Sequence, residues 1–227
     1  MMYRRRFIGL TSLALVASGN ARLSAQTPAP KSLSPHADAT ERAFVAQAAQ
    51  FVQAHYATTK AASEAGFVRF TNEDKSGAIS WANRRWTSTD AKHPSQIWFD
   101  SNGKLIGADY SVLQADYPQA PQLWGINPGR WITLRAHVHY GLTTSSGVEF
   151  HGMSAAKFSE GGGSLASPTK QTLVNMGLAK NVDDVAFLFL FPAIWDLQFW
   201  VVANPDGEFA DFNPNVKPKA AQQHPAM

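Results

Sequence analysis

The feature that most constrains the fold is a run of seven apolar residues at 185–191, VAFLFLF, which Pro192 ends. Its length and its content of phenylalanine and valine are typical of a β-strand. A strand that is apolar at every position has no side suited to water, so both of its faces are expected to be covered. The fold must therefore place other parts of the chain against both sides of this strand.

A helix is predicted at the start of the folded region. In Asp38-Ala39-Thr40-Glu41, Asp38 is expected to cap free backbone amides, and Glu41 is expected to reach back to the start of the helix. Apolar and small residues then recur at a spacing of three to four as far as Thr59. The pattern predicts one long amphipathic helix that ends near Gly66.

Two antiparallel strand pairs are predicted in the middle of the chain. Segments 96–100 and 105–112 flank Asn102-Gly103, which suits a two-residue turn with positive φ. That turn would place Phe99 opposite Ile106 and Ile97 opposite Ala108. Segment 131–142 alternates between apolar and polar residues, so it is predicted to be one strand that pairs with segment 147–152.

The remaining signals complete one α+β domain at 38–214. Ser167-Pro168 opens a short helix that closes near Gly177. A strand at 195–203 ends in the turn Asn204-Pro205-Asp206-Gly207. The predicted domain is a largely antiparallel sheet with the long N-terminal helix packed on one face. A disordered Pro/Ser linker at 26–37 precedes it, and a flexible tail at 215–227 follows it.

Residues 1–25 are predicted to be a cleavable signal peptide. The arginines at 4–6 precede Phe7 and a short apolar run at 8–17, and small residues follow it. The pattern R-R-x-F-apolar resembles the twin-arginine signal, whose partner is the export machinery for folded proteins. An ordinary secretory signal is the alternative. Either route predicts a periplasmic or secreted protein, with no transmembrane segment in the mature chain.

The charge of the chain excludes nucleic acid as a partner. Four of the 20 basic residues lie in residues 1–25, which hold no acidic residue, so the rest has 16 basic and 17 acidic residues. No basic surplus is left to neutralise phosphates. The chain contains no cysteine, so the domain must be held together by packing and not by disulfides.

Four residues are candidate ligands of a metal ion: His137, His139, Glu149 and His151. Residues two apart in a strand share a face, so His137 and His139 would lie together, as would Glu149 and His151. A hairpin with a three-residue loop at 143–145 would place His139 opposite Glu149 and His137 opposite His151. Imidazoles and a carboxylate suit one divalent transition metal: Zn, Cu, Ni, Fe or Mn.

This metal site depends on the register of the hairpin, because a two- or four-residue loop would put the side chains on different faces. The alternative interpretation is a solvated polar strand face without a metal. The function then predicted is a non-catalytic periplasmic ligand-binding or interaction module. Any catalytic role stays open in both interpretations. A ligand cleft lined by Trp81, Trp86, Trp98 and Trp124 is a further hypothesis, beside ordinary core packing of these residues.

Two stretches of the sequence and the end of the first predicted helix resemble those of a group of other proteins. They are PSQIWFD with GKLIGADY at 94–110, WDLQFWV with NPDGEFADFNP at 195–214, and the pair Gly66-Phe67 after the first helix. The chain is similar in them to a group of uncharacterised, mostly exported prokaryotic proteins with no assigned activity. Members of that group tend to carry a histidine in W-x-L-H-x-W, where Gln198 stands here. The resemblance implies export, and it implies that any metal site of this chain would be built differently.

Overall fold

The computed structural model describes residues 33–83 and 89–219 and confirms an α+β domain of antiparallel sheets with an N-terminal helix. The predicted signal peptide lies outside these residues. None of the described helices is long and apolar enough to cross a membrane. The elements in chain order are α1 Ala39–Tyr56, α2 Thr59–Glu64, β1 Phe67–Arg69, β2 Ile79–Asn83, β3 Gln96–Phe99, β4 Leu105–Leu113, β5 Ile132–Leu134, β6 His137–Thr144, β7 Gly147–Ser154, α3 Ala155–Glu160, α4 Lys170–Asn175, β8 Val185–Phe191 and β9 Ile194–Trp200; short 3-10 helices span Pro128–Arg130 and Val182–Asp184.

The strands form two antiparallel sheets. The larger sheet has the order β1-β2-β3-β4-β9-β5, and the smaller has the order β7-β6-β8. One face of the larger sheet packs against α1, where Phe44, Val45, Ala48 and Val52 meet apolar side chains of β3, β4 and β9. Its other face meets the smaller sheet, whose far side packs against α3 and α4. The domain therefore has layers in the order helix, sheet, sheet, helices.

The strand β8 contacts both apolar layers of the smaller sheet, as its sequence predicts. Leu188 and Leu190 belong to the cluster under α3 and α4. Phe187, Phe189 and Phe191 belong to the cluster between the two sheets. Pro192 ends the strand, and β9 begins at Ile194.

The predicted start of the first helix is confirmed, but the helix is shorter than predicted. Asp38 Oδ1 accepts from the backbone amides of Thr40 at 2.8 Å and Glu41 at 2.9 Å, and Glu41 Oε2 accepts from the Asp38 amide at 3.0 Å. The helix stops at Tyr56, and Thr58 caps the separate helix α2 by accepting from the Ala61 amide at 3.2 Å. The apolar spacing continues across this break, which is why the sequence predicts one helix.

Segment 131–142 is not one strand. It is split at Arg135-Ala136 into β5, which pairs with β9 in the larger sheet, and β6, which pairs with β7 and β8 in the smaller sheet. The alternation of side chains carries on through the split, so the pattern alone does not reveal that the chain changes sheets. This split is what brings β6 across the polar face of the larger sheet.

The hairpin of β3 and β4 has the predicted partners at one pair only. Ile97 lies opposite Ala108, as predicted, but Phe99 lies opposite Leu105 because the register shifts between Trp98 and Phe99. The turn holds three residues: the Asp100 amide donates to the Lys104 carbonyl, and the Gly103 amide donates to the Asp100 carbonyl, both at 2.9 Å. A three-residue loop followed by a bulge restores the register that a two-residue loop would have set.

The last residues of the predicted linker are packed on the domain. The Phe209 amide donates to the Pro35 carbonyl at 2.9 Å, and the Ala37 amide donates to Glu208 Oε2 at 2.9 Å. Arg130 donates to the carbonyls of Ser34 and His36. Residues 34–37, at the end of the predicted linker, therefore form hydrogen bonds with the domain.

Arg130 and Glu41 form a buried ion pair that joins this N-terminal segment to α1. Arg130 Nη2 lies 2.9 Å from Glu41 Oε2 and Nε lies 3.0 Å from Oε1, and the two side chains are 8% and 1% exposed. The guanidinium also lies 4.2 Å from the ring centre of Phe209. Glu41 therefore has two roles, in the helix cap and in the ion pair.

Two further predictions, for the short helix and for the C-terminal tail, can be compared with the structure. The helix α4 at Lys170–Asn175 lies within the predicted span and is followed by Gly177 at φ +72°. Residues 215–219 of the predicted tail contact the domain: Val216 belongs to a cluster with Trp200, and the Lys219 amide donates to Glu73 Oε1 at 3.1 Å.

Candidate functional site

The hairpin of β6 and β7 does not have the register on which the predicted metal site depends. Thr144 lies opposite Gly147, so the loop is the two-residue Ser145-Ser146 and not three residues. Its geometry is set by Gly147, at φ +123°, and by Thr144 Oγ1, which accepts from the Ser146 amide at 3.3 Å. One residue less in the loop moves every side chain of β7 to the other face relative to β6.

The four predicted ligands are consequently divided between the two faces of the smaller sheet. His139 lies opposite Gly152, not Glu149, and His137 lies opposite Ser154, not His151. His151 lies opposite Tyr140 and stacks on its ring, with centroids 5.1 Å apart. The expected pairing of His137 and His139 with Glu149 and His151 is therefore wrong.

His137 and His139 lie in the apolar layer between the two sheets. Their ring centroids are 4.8 Å apart, and the His137 ring stacks on Phe191 at 4.8 Å. The His139 ring meets the Phe70 ring edge-on at 4.7 Å. Burial lowers the pKa of His137, and burial together with the nearby His137 lowers the pKa of His139 to about 3. Both rings are neutral at pH 7.

Glu149 and His151 form a separate pair on the other face. His151 Nε2 lies 3.7 Å from Glu149 Oε2, and the side chains are 35% and 56% exposed for His151 and Glu149. Within residues 33–83 and 89–219, no three acidic or histidine side chains come together as a group that could hold a metal ion. The structure thus brings the predicted ligands together in pairs and not as a set of four.

A cavity of about 390 Å³ lies between the two sheets and is the strongest candidate site. This volume falls in the range of about 300–1,000 Å³ that is usual for ligand pockets. Its floor is the polar face of the larger sheet, and β6 and β8 contribute His137 and Phe191 to the opposite wall. The polar face continues beyond the cavity, and its polar and tryptophan residues on β2, β3, β4 and β9 are Ser80, Gln96, Trp98, Asp109, Ser111, Asp196, Gln198 and Trp200.

Two buried carboxylates stand on neighbouring strands of this floor. Asp109 on β4 lies opposite Gln198 on β9, and Ser111 lies opposite Asp196, so the two acids are diagonal neighbours on one face. Asp109 is 2% exposed and Asp196 is fully buried. Neither forms an ion pair with any residue of the described ranges.

Both carboxylate oxygens of Asp196 accept hydrogen bonds. Ser111 Oγ donates to its Oδ1 at 2.6 Å, and Gln198 Nε2 donates to its Oδ2 at 2.7 Å. Ser111 Oγ also lies 2.6 Å from the Ser95 hydroxyl oxygen, which extends the network to the end of β3. Hydrogen bonds of this kind allow a buried carboxylate to persist inside a protein.

Asp109 differs from Asp196, because one of its carboxylate oxygens lacks a hydrogen bond within the described residues. Its Oδ1 is buried and has no hydrogen-bond partner within the described part of the chain. Burial and the negative charge of Asp196 raise the pKa of Asp109 well above its usual value, although a hydrogen bond with the Trp98 side chain opposes this. Burial raises the pKa of Asp196 to about 6, against the effect of its bonds with Ser111 and Gln198. Unpartnered buried acids with a shifted pKa in a cleft mark candidate functional sites.

The tryptophans are divided between this cavity and the core. Trp98 and Trp200 line the cavity, and their rings meet edge-on with centroids 5.5 Å apart. Trp81 and Trp124 pack against the cluster under α1. Trp86 lies outside the described residues. Of the tryptophans named for a ligand cleft, Trp98 lines this cavity, and so does Trp200, which the hypothesis did not include.

The sequence prediction missed Asp109 and Asp196, although a signal for both was present. Asp109 lies inside the predicted strand 105–112, Asp196 is the second residue of the predicted strand 195–203, and the neighbours of both are largely apolar. An acidic residue is rarely buried, so its presence inside an apolar strand marks a specific role. What the sequence does not reveal is that β4 and β9 are neighbours.

No known protein family, curated protein or solved structure matches this chain. The cavity and its two carboxylates are therefore interpreted from their own chemistry.

Proposed function

We propose that this chain is an exported protein that binds a small organic molecule in the cavity between its two sheets. The observation that carries the proposal is Asp109, which lines the cavity floor and whose buried Oδ1 has no hydrogen-bond partner among the described residues. A buried polar atom without a partner costs about 1–3 kcal/mol, so such an atom inside a cavity is suited to a ligand that completes its hydrogen bonding. Export is supported by the arginine-led pattern of residues 4–25.

The lining of the cavity suits a ligand with one polar group and an apolar body. Trp98, Trp200, Phe191 and Phe212 offer aromatic surface, while Asp109 on β4 and Gln198 on β9 are polar groups of the floor. Ligand pockets are commonly apolar walls with a few well-placed polar groups that fix orientation. The cavity therefore combines contact area with one point of specific recognition.

The metal-binding hypothesis loses the geometry on which it was based. His137 and His139 face the cavity side of the smaller sheet, whereas Glu149 and His151 are on its other face. The cavity instead favours the alternative to a metal-binding protein, a ligand-binding module.

Ligand-observed NMR on the mature chain tests the proposal with three probes that share a phenyl ring: 2-phenylethanol, 2-phenylethylamine and 3-phenylpropanoate. We expect at least one probe to give saturation transfer with the wild-type chain. Ser80→Phe places a ring in the cavity and should abolish this signal, because Ser80 lines it. Thr143→Phe adds the same ring at an exposed position of β6 and serves as the control.

Two results would contradict ligand binding in this cavity. One is the absence of a signal from all three probes at millimolar concentration. The other is a signal from Ser80→Phe as strong as that from Thr143→Phe, which would place the probe elsewhere on the surface.

A further inference from the structure

Three side chains that line the cavity, those of Asp109, His137 and Gln198, have hydrogen-bond acceptors left for a ligand. Asp109 contributes a carboxylate oxygen that has no hydrogen-bond partner in the described part of the chain. His137 Nδ1 lies 2.6 Å from the Arg135 carbonyl oxygen, so this nitrogen donates, and Nε2 of the neutral ring can only accept. Gln198 uses its amide nitrogen on Asp196, which leaves its carbonyl oxygen available. A ligand that satisfies these groups must bring N–H or O–H donors.

The charges around the cavity favour a positive ligand. Asp74, Asp109 and Asp211 line it, and Asp196 lies on the same sheet face, bonded to the lining residue Gln198. The cation of the lining is Lys75, whose Nζ lies 5.2 Å from the ring centre of Phe212 and forms no ion pair among the described residues. Because burial keeps His137 neutral by lowering its pKa, acidic groups outnumber basic ones among the described residues that line the cavity.

The aromatic walls are also suited to a positive group joined to an apolar body. The edge-on pair of Trp98 and Trp200 and the ring of Phe212 present π-surface near the acids. A cation beside such rings gains roughly 0.5–2 kcal/mol, more where water is excluded. An anion would meet both the acids and the negative faces of the rings, so the same walls disfavour it.

We infer that the ligand of this cavity is a protonated amine carried on an apolar body, whose N–H groups bond to Asp109 Oδ1 and His137 Nε2. This inference rests on the proposed function, since it names the class of molecule that the cavity binds. The amine supplies the donors that the floor lacks and balances the buried charge of Asp109. The apolar body lies against the aromatic walls.

Calorimetry with the three phenyl probes tests the inference on the mature chain. At pH 8 we expect 2-phenylethylamine to bind at least about tenfold more tightly than 2-phenylethanol, since a charge-assisted hydrogen bond is about twice as strong as a neutral one. 3-Phenylpropanoate should bind weakest. Asp109→Asn should weaken the amine by about tenfold or more and change the alcohol by less than about threefold.

Asp183→Asn is the matched control for Asp109→Asn. It removes the same charge from an exposed position in the 3-10 helix Val182–Asp184, away from the cavity. It should leave the affinity for the amine unchanged. Unfolding measurements on both variants show whether a loss of binding reflects a loss of structure, and we expect Asp109→Asn to be as stable as the wild type or more so.

The dependence on pH gives a second readout. Asp109 must lose its proton to pair with the amine, and the groups around it are Asp196 on β9, His137 on β6, Asp74 and Lys75 before β2, and Asp211 near the C-terminus. Burial and Asp196 raise the pKa of Asp109, so affinity for the amine should increase with pH from 5 to 8. Affinity for the alcohol should not increase.

The results separate the two proposals. Binding of the alcohol or the propanoate as tight as that of the amine, abolished by Ser80→Phe, would overturn the amine inference and leave the cavity as a ligand site. Equal loss of amine affinity in Asp109→Asn and Asp183→Asn would also overturn it. Absence of binding by every probe would overturn both proposals.

Discussion

The carboxylate of Asp109 is held where its negative charge is unfavourable. Its pKa and that of Asp196 are raised above the usual 3.8 by burial, so the folded state holds protons that the unfolded chain has released. The contribution of these groups to stability is greatest below the usual pKa and is lost as the pH rises through the folded pKa, about 6 for Asp196 and higher than usual for Asp109.

Asp109→Asn should therefore stabilise the domain at high pH. Replacing the buried charge with a neutral amide of the same size is expected to raise the free energy of unfolding by about 1–3 kcal/mol at pH 8. The gain should shrink toward zero at pH 4, where the wild-type carboxyl is protonated. Urea denaturation at both pH values measures it. A destabilised variant at pH 8 would show that the carboxylate is satisfied in the folded protein.

In the ion pair of Arg130 and Glu41, unlike at Asp109, each buried charge has a partner of opposite sign. Arg130→Met should lower the free energy of unfolding by about 3–5 kcal/mol, since it leaves Glu41 buried and charged without its cation. Glu41→Gln in the same chain should recover part of this loss. A double-mutant cycle from urea denaturation measures the coupling, and strictly additive effects would argue against a direct pair.

Single residues whose roles are local were predictable from the sequence. Asp38 and Glu41 form the expected cap because both partners lie within one helical turn. The second role of Glu41, with Arg130, was not predictable, because that partner is distant in sequence. The same holds for Asp109 and Asp196, which the sequence shows as separate acids and only the pairing of β4 with β9 makes neighbours.

Among the elements, the pair β3 and β4 controls the shape of the cavity wall. Gly107 lies opposite Trp98, and a Cβ at Gly107 would be 1.9 Å from the Trp98 ring atom Cε3. The indole therefore lies flat over the glycine. It is from this position that Trp98 lines the cavity and bonds to Asp109.

Gly107→Ala should displace the Trp98 ring. We expect a loss of about 1–3 kcal/mol in the free energy of unfolding, because the added methyl group overlaps the ring. Binding of the phenyl probes should weaken as well. In a Trp98→Ala background the same change should cost little, since nothing then opposes the methyl group. Urea denaturation measures both losses. An equal loss of unfolding free energy with and without Trp98 would show that the alanine acts on the backbone and not on the Trp98 ring.

The elements also show where prediction from sequence stops. The strand β8 was predictable because a fully apolar run leaves few alternatives. The register of β6 and β7 was not, because Thr144, Ser145 and Ser146 allow loops of two or three residues, and one residue decides which face each histidine takes. The candidate site changed from a metal site to a cavity through this single difference.

For the whole molecule, the route of export can be tested directly. Arg4→Lys with Arg5→Lys keeps the charge of the signal but removes the arginine pair, and twin-arginine transport is expected to stop while secretory transport would continue. Cell fractionation and the mass of the mature N-terminus measure the outcome. Unchanged export of the double variant would establish the secretory alternative.

The strand β8 has a consequence for the chain before it folds. Its seven residues carry no charge and no proline and have a strong preference for strands, which is the composition of segments that assemble between chains. In the domain, the two apolar layers cover its phenylalanine and leucine side chains. The hazard is therefore greatest while the chain is unfolded, and export of the folded domain would spare the unfolded segment from exposure at the far side, although β8 remains an edge strand of the smaller sheet.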